Sequence, residues 1–232
     1  MSSLYRLFLR SQLVRGRIIG LSSLGLLAII LGFAVGVSDE SSAGDGAQLI
    51  SGYGLALFVP VSVLLFGSAA LGDPNEDGTL VYLWLRPVAR WKIVLAAMAA
   101  TLTISLPLVV GPMVISAALA GDGELVAGTL ASCTLATVAY AGVFTWLGLR
   151  VKRALVWGLA YILIWEGFVA TAGATPAKLS VRASTRSVLG RLADAPRDFL
   201  EVGPTAAVAI PVAAAVIGLA LAVRRLTNQD VA

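Results

Sequence analysis

The sequence predicts an all-α integral membrane protein: six transmembrane helices, a cytoplasmic amphipathic amino-terminal helix, a short cytoplasmic helix between the second and third spans, and a re-entrant or amphipathic outer segment before the sixth. Three observations carry this reading. Apolar and aromatic residues make up 58% of the 232 positions and charged residues only 13%, where a soluble domain carries roughly 25% charged residues. The apolar residues fall into runs long enough to cross about 30 Å of hydrocarbon as helix, which takes about 20 residues, and they lack the period-two alternation of barrel strands. Lys and Arg also alternate between the segments joining these runs, as the preference of positive loops for the cytoplasm requires.

In chain order, residues 1–17 contain SLYRLFLRSQLVRGR, which puts Leu4, Leu7 and Phe8 on one side of a helix and Arg6 and Arg10 on another. That is the pattern of an interfacial helix with basic anchors. The first span is read at 18–37. A cleaved signal peptide is the competing account, but its apolar stretch runs to about 15 residues at most, and this one is longer. The remaining spans are read at 49–72, 93–119, 125–149, 154–174 and 204–223.

Gly16, Gly20, Gly32 and Gly36 bracket the first span as two GxxxG pairs, and Gly128, Ser132 and Ala136 form a small stripe on the fourth. Both suit close helix packing, within the chain or between subunits. Pro107 and Pro112 are expected to kink the third span, with Pro60 and Pro211 bending their own.

The basic segments are the amino terminus (Arg6, Arg10, Arg15, Arg17), the stretch with Arg86, Arg90 and Lys92, the loop with Arg150, Lys152 and Arg153, and the tail with Arg224 and Arg225. Loops 38–48 and 120–124 have no Lys or Arg; their charged residues are Asp39, Glu40, Asp45, Asp122 and Glu124. Both termini are therefore expected in the cytoplasm, in a cell inner (plasma) membrane. One outer segment dissents: 175–203 carries Lys178, Arg182, Arg186, Arg191 and Arg197 among apolar residues, and reads as short amphipathic helices at the outer surface. The formal charge of +4 is mostly topology. It fits an anionic inner leaflet and is no sign of nucleic acid.

Much chemistry is missing. There is no histidine, Cys133 is alone, and none of Lys92, Lys152 and Lys178 follows a glycine, so no P-loop exists. No catalytic, metal or cofactor site is expected, and the chain reads as a conduit, scaffold or receptor.

Against that background the stretch DPNEDGTLVYLWLRPVARWK is compact and patterned. A turn at Asp73, Pro74 and Asn75 is expected to lead into a helix over 75–90, with Glu76 and Asp77 in its first turn, where the macrodipole favours acids. Leu80, Leu83 and Trp84 recur at helical spacing, and Pro87 ends the pattern. By periodicity alone this is a surface helix, anchoring or functional.

The order acid, Gly-Thr-Leu, apolar stretch, Arg-Pro-Val-x-Arg resembles the signature between the second and third spans of ABC-2 type permeases, the membrane subunits of type II ABC exporters. The matching residues are Glu76, Gly78, Thr79, Leu80, Arg86, Pro87, Val88 and Arg90; Ala89 stands where many members have Ser. The resemblance implies that 75–90 is a coupling helix, with Glu76, Asp77, Gly78, Thr79, Leu80, Arg86, Pro87 and Arg90 the candidate ATPase-coupling residues. Residues 1–17 would be an elbow segment that also touches the ATPase, and 175–203 would help close the exit.

It further implies ABC ATPase subunits as partners, with ATP and Mg bound there and none in this chain, and a second permease subunit, identical or homologous. The substrate expected is hydrophobic or amphipathic. Glu166 is the single acid inside an expected span, where charge is costly, and it reads either as a polar contact on the pathway or as an interhelix hydrogen bond, with Gly167 allowing close approach. The alternative function is an ATP-independent small carrier or a helix-packing scaffold.

Overall fold

Within a bilayer no water accepts the backbone's protons, so each spanning segment must satisfy its own amides, and helices do so. The computed structural model describes residues 2–38, 43–78, 89–169, 178–193, 195 and 197–228, and every regular element among them is helical. In order these are α1 (Ser2–Gln12), α2 (Arg15–Val37), α3 (Gly44–Glu76), α4 (Arg90–Ala120), α5 (Gly123–Arg150), α6 (Ala154–Ala160, continued as π-helix over Tyr161–Val169), α7 (Val181–Leu192), a 3₁₀ turn (Arg197–Phe199) and α8 (Pro204–Asn228).

Five of them, α2, α3, α4, α5 and α8, are long and apolar enough to cross a membrane. α6 is apolar but shorter. The last residues of the span expected at 154–174 lie outside the described residues.

α3 departs most from expectation. It begins before residue 49 and runs 33 residues, straight through the turn expected at Asp73, Pro74 and Asn75. Proline forfeits its own ladder bond and its ring crowds the carbonyl four residues back, yet its fixed φ is helical, and here the disturbance falls in the last turn of the helix. The helix ends where the Asp77 N–H donates to Asp73 O at 2.9 Å and Gly78 takes a φ of +67°, a left-handed position that glycine occupies without strain. Glu76 and Asp77 therefore close the second span, and are not the first turn of the helix that was expected to follow.

Three stretches are wound as π-helix: Ile50–Phe58 in α3, Leu106–Val110 in α4 and Tyr161–Val169 in α6. Pro107 lies inside the second, and Pro60 is the second residue beyond the first. A residue without an amide disturbs the regular ladder, and a π turn is one way the backbone absorbs that.

α5 is the central helix, packed by α3, α8 and α7. Since lipid tails are as apolar as leucine, helices associate in a membrane through close contact rather than through exclusion of water. The contacts on α5 are backbone-close. A Cβ added at Gly142 would meet Ala215 O at 2.5 Å, one at Gly218 would meet Gly142 O at 2.5 Å, and one at Gly148 would collide with Ser68 O. Gly128 faces Leu189 of α7 and Ala193 just beyond it, and Ser132, Cys133 and Ala136 are fully buried.

The first-span motif divides. Gly32 and Gly36 lie on Ser116 and Leu119 of α4, while Gly16 and Gly20 face open space.

These contacts fix the helix directions. Gly25 meets Pro112 and Gly32 meets Ser116, so α2 and α4 run the same way; Gly67 meets Phe144 and Gly72 meets Gly148, so α3 follows α5. Ala70, Leu71, Ile93, Val94, Leu149, Ala222 and Leu226 share one buried cluster. The start of α2 and α4 and the ends of α3, α5 and α8 thus gather at one face, the basic end. Leu4 and Phe8 of α1 are buried in that same cluster, with Tyr5 Oη donating to Thr103 Oγ1 at 3.0 Å, whereas Leu7 is half exposed. The apolar side of α1 is covered by protein, α4 above all.

Gly142→Ala is expected to lower the stability of the detergent-solubilised chain by about 1–3 kcal/mol through overpacking. Gly20→Ala, with nothing within 4 Å, is expected to be neutral or slightly stabilising. Thermal unfolding of the two variants side by side measures the difference, and equal midpoints would contradict the packing described.

Candidate functional site

At the basic end, two acids of α3 tie three elements together. Arg17, at the start of α2, donates through Nη2 to Asp73 Oδ2 at 3.0 Å. One turn on, Glu76 Oε1 accepts the backbone N–H of Arg153 at 2.6 Å. Arg153 caps α6 in a left-handed conformation, φ 56° and ψ 47°. For a residue with a Cβ this costs about 1–2 kcal/mol, and it turns the chain between α5 and α6 within Val151–Arg153. The bond to Glu76 is made at that turn.

Of the residues read as coupling contacts, Glu76 and Asp77 are exposed at the end of α3, Gly78 is exposed in its left-handed turn, and Arg90 opens α4, partly exposed. Thr79, Leu80, Arg86 and Pro87 lie outside the described residues. Beside Arg90, Trp91 is half exposed with Lys92 Nζ 5.5 Å from its ring centroid. α3 and α4 pack directly on one another here, Ala70 and Leu71 sharing a cluster with Ile93 and Val94.

A second polar site lies inside the bundle. Glu166, on the π-helical part of α6, is only 2% exposed. Its carboxylate accepts Tyr161 Oη–H at 2.9 Å and Val181 N–H at 3.2 Å on Oε1, and Ser180 Oγ–H at 2.5 Å and Arg182 N–H at 3.1 Å on Oε2. Arg182 Nη1 also donates to the backbone carbonyl of Glu166 at 3.5 Å. Tyr161 packs edge-on against Phe144, which stacks on Tyr140.

Phe144 sits six residues from Arg150, so by helical rise it lies roughly 9 Å inside the Arg150 end of α5. From here α7 rises toward the other end, passing Gly128 with Leu189 and reaching Gly123 and Glu124 with Arg191 and Leu192. Gly167 is exposed, and among the described residues an added Cβ would meet Ile162 O of its own helix at 3.5 Å.

In the segment expected to lie outside, α7 is amphipathic, and Arg182, Arg186 and Arg191 are engaged. Arg186 Nη1 pairs with Glu201 Oε1 at 2.7 Å while its guanidinium lies 4.3 Å from the ring centroid of Phe199, and Arg191 Nη2 donates to Val202 O at 2.5 Å.

Compared with known protein families, residues 10–176 match the model described as ABC-2 family transporter protein. The chain belongs to that family. No curated protein matches the chain. Proteins of the ABC-2 family are membrane permeases of ABC transporters, and the matched stretch of this permease includes the elements from α2 to α6 together with Glu166. α7 and α8 lie beyond the match.

Sequence reading found Glu76 and Glu166 but missed their partners. Arg17, Asp73 and Arg153 look like ordinary flanking charges until α2, α3 and the α5–α6 turn are brought to one face. Ser180 did carry a signal, a hydroxyl residue immediately before an apolar-patterned helix, which is a helix-capping position.

Arg17→Ala and Asp73→Ala are each expected to cost this permease less than about 1 kcal/mol, and a double-mutant cycle to return a coupling of about 0.2–1 kcal/mol, as for a half-exposed pair. Strict additivity in thermal unfolding would show that the pair does not act.

Proposed function

We propose that this chain is the transmembrane permease subunit of an ATP-driven exporter, moved by a separate ATPase subunit that grips the segment between α3 and α4. The observation that carries the proposal is the placement of the segment's two ends. Glu76–Gly78 closes one long span and Arg90 opens the next, and the two spans are packed side by side, so a force applied between them acts on a rigid helix pair. A two-state transporter needs such rigid elements to pass on a local displacement. The Glu76 bond to Arg153 and the Asp73 pair with Arg17 support a spread of that displacement to α6 and α2.

The basic end is taken as cytoplasmic on the positive-inside rule, which puts both termini and the 75–90 segment on the side where ATP is available. ATP and Mg belong to the partner; this chain has no P-loop to hold them. A dimer of two such permeases, identical or homologous, with a central pathway for a hydrophobic or amphipathic substrate, completes the reading. An ion-coupled carrier is less well supported, because Glu166 is already occupied by internal donors.

The test is co-expression with candidate ABC ATPases from the same genome, followed by co-purification and ATPase assay in lipid. Arg86→Glu and Arg90→Glu are expected to reduce assembly or permease-dependent ATPase activity by tenfold or more, while Arg224→Glu, on the tail, leaves both within twofold. Wild-type assembly and stimulation in both segment variants would overturn the coupling assignment.

A further inference from the structure

A helix that begins inside a membrane protein exposes four amides with no intrahelical partner, and each is costly where water is absent. α7 begins in this way, beside α6 and the Tyr140–Phe144 stretch of α5, and its opening turn is fully accounted for. The Val181 and Arg182 amides donate to the two carboxylate oxygens of Glu166, the Ala183 amide donates to Ser180 Oγ, and the Ser184 amide donates to Ser180 O. Ser180 Oγ in turn donates to Glu166 Oε2.

Glu166 therefore stands as the counter-charge to the partial positive end of α7, while α7 and Tyr161 supply the donors that a buried carboxylate needs. The fit is reciprocal. Moving α7 away would leave a carboxylate and three or more donors unsatisfied at once.

We propose that Glu166 is the positioning residue of the outer segment: from its place on α6 it fixes where α7 begins, and so docks that helix against α5 and α8. It acts through the α7 amides and Ser180, and α6 and the start of α7 move as one body. Down the rest of α7 the dock is apolar and backbone-close, with Leu189 on Gly128 and Phe199 on Gly190. The register of those contacts follows from the starting point. The inference concerns the chain itself and holds whatever the permease carries and whichever ATPase drives it.

The experiment reads local exposure of α7 without ATP or partner. Cys133 is replaced by Ala to give a cysteine-free chain, and Ser184→Cys, at a fully buried α7 position, is introduced as the probe. Ala215→Cys, buried between α5 and α8, is the control. Reaction with a water-soluble maleimide is followed in lipid nanodiscs, where both faces are open to the reagent.

With Glu166 present both probes should react slowly. Glu166→Ala is expected to speed Ser184→Cys labelling at least tenfold and leave the control within twofold. Glu166→Gln, which keeps the shape but turns a donor toward the amides, is expected to give an intermediate rise, and Ser180→Ala a rise of a few-fold.

Unchanged Ser184→Cys labelling in Glu166→Ala overturns the proposal, as does an equal rise at both probes, which would mean that Glu166 merely holds the fold together. If Glu166→Ala does not accumulate, Glu166→Gln and Ser180→Ala decide by the same criterion. Failure here leaves the coupling reading untouched, since no step of the assay involves the 75–90 segment.

Discussion

The structure is organised around how closely other backbones approach α5. In a bilayer, apolar side chains gain nothing by meeting each other instead of lipid, so specificity comes from contacts that lipid cannot imitate. Gly142 against Ala215 and Gly218, Gly148 against Ser68 and Gly72, and Gly128 against Leu189 bring α8, α3 and α7 onto one helix at distances where an added Cβ would collide or be tightly crowded. Tyr140, Cys133 and Phe144 fill what remains, all fully buried. Because these contacts pair helices along their length, they also set direction, and direction delivers the basic residues of four separate segments to a single face.

Two acids inside or at the edge of this bundle do unlike work by the same chemistry. Glu76 and Glu166 both accept backbone amides at points where the chain leaves regular helix: the left-handed residue Arg153 in one case, the opening turn of α7 in the other. Glu76 is exposed and water competes for it, so its bond aligns the α5–α6 turn more than it stabilises the fold. Glu166 is enclosed, and the requirement that buried polar groups be paired makes its four bonds obligatory. The same residue type is thus a light tether at one end of α6 and a fixed dock at the other.

For a permease worked from the basic end, this arrangement has a mechanical sense. On the coupling proposed above, α3 and α4 form the packed pair flanking the 79–88 segment, α2 and α6 are tied to the end of α3 by Asp73 and Glu76, and α6 holds the start of α7 through Glu166. A displacement entering between α3 and α4 has a continuous path of packed or hydrogen-bonded elements to α7. The π-helical stretches in α3, α4 and α6 lie along that path, where the backbone ladder is already irregular.

The sequence by itself determined that the chain is helical and membrane-embedded, where its basic residues cluster, that it contains no P-loop, and that the 76–90 stretch and Glu166 stand out. Those features are local: run length, charge and spacing depend on residues near one another in the chain. Tertiary structure decided the rest. That α3 passes through Pro74 to Glu76 follows from the Asp77 amide finding Asp73 O, and from Gly78 being free to take a left-handed turn. That Gly32 and Gly36 pack while Gly16 and Gly20 do not depends on where α4 lies. That Glu166 meets Ser180 and Val181 depends on the chain returning into the bundle after α6, which no periodicity encodes, because the partners of a buried charge are chosen by three-dimensional proximity and not by position in the sequence.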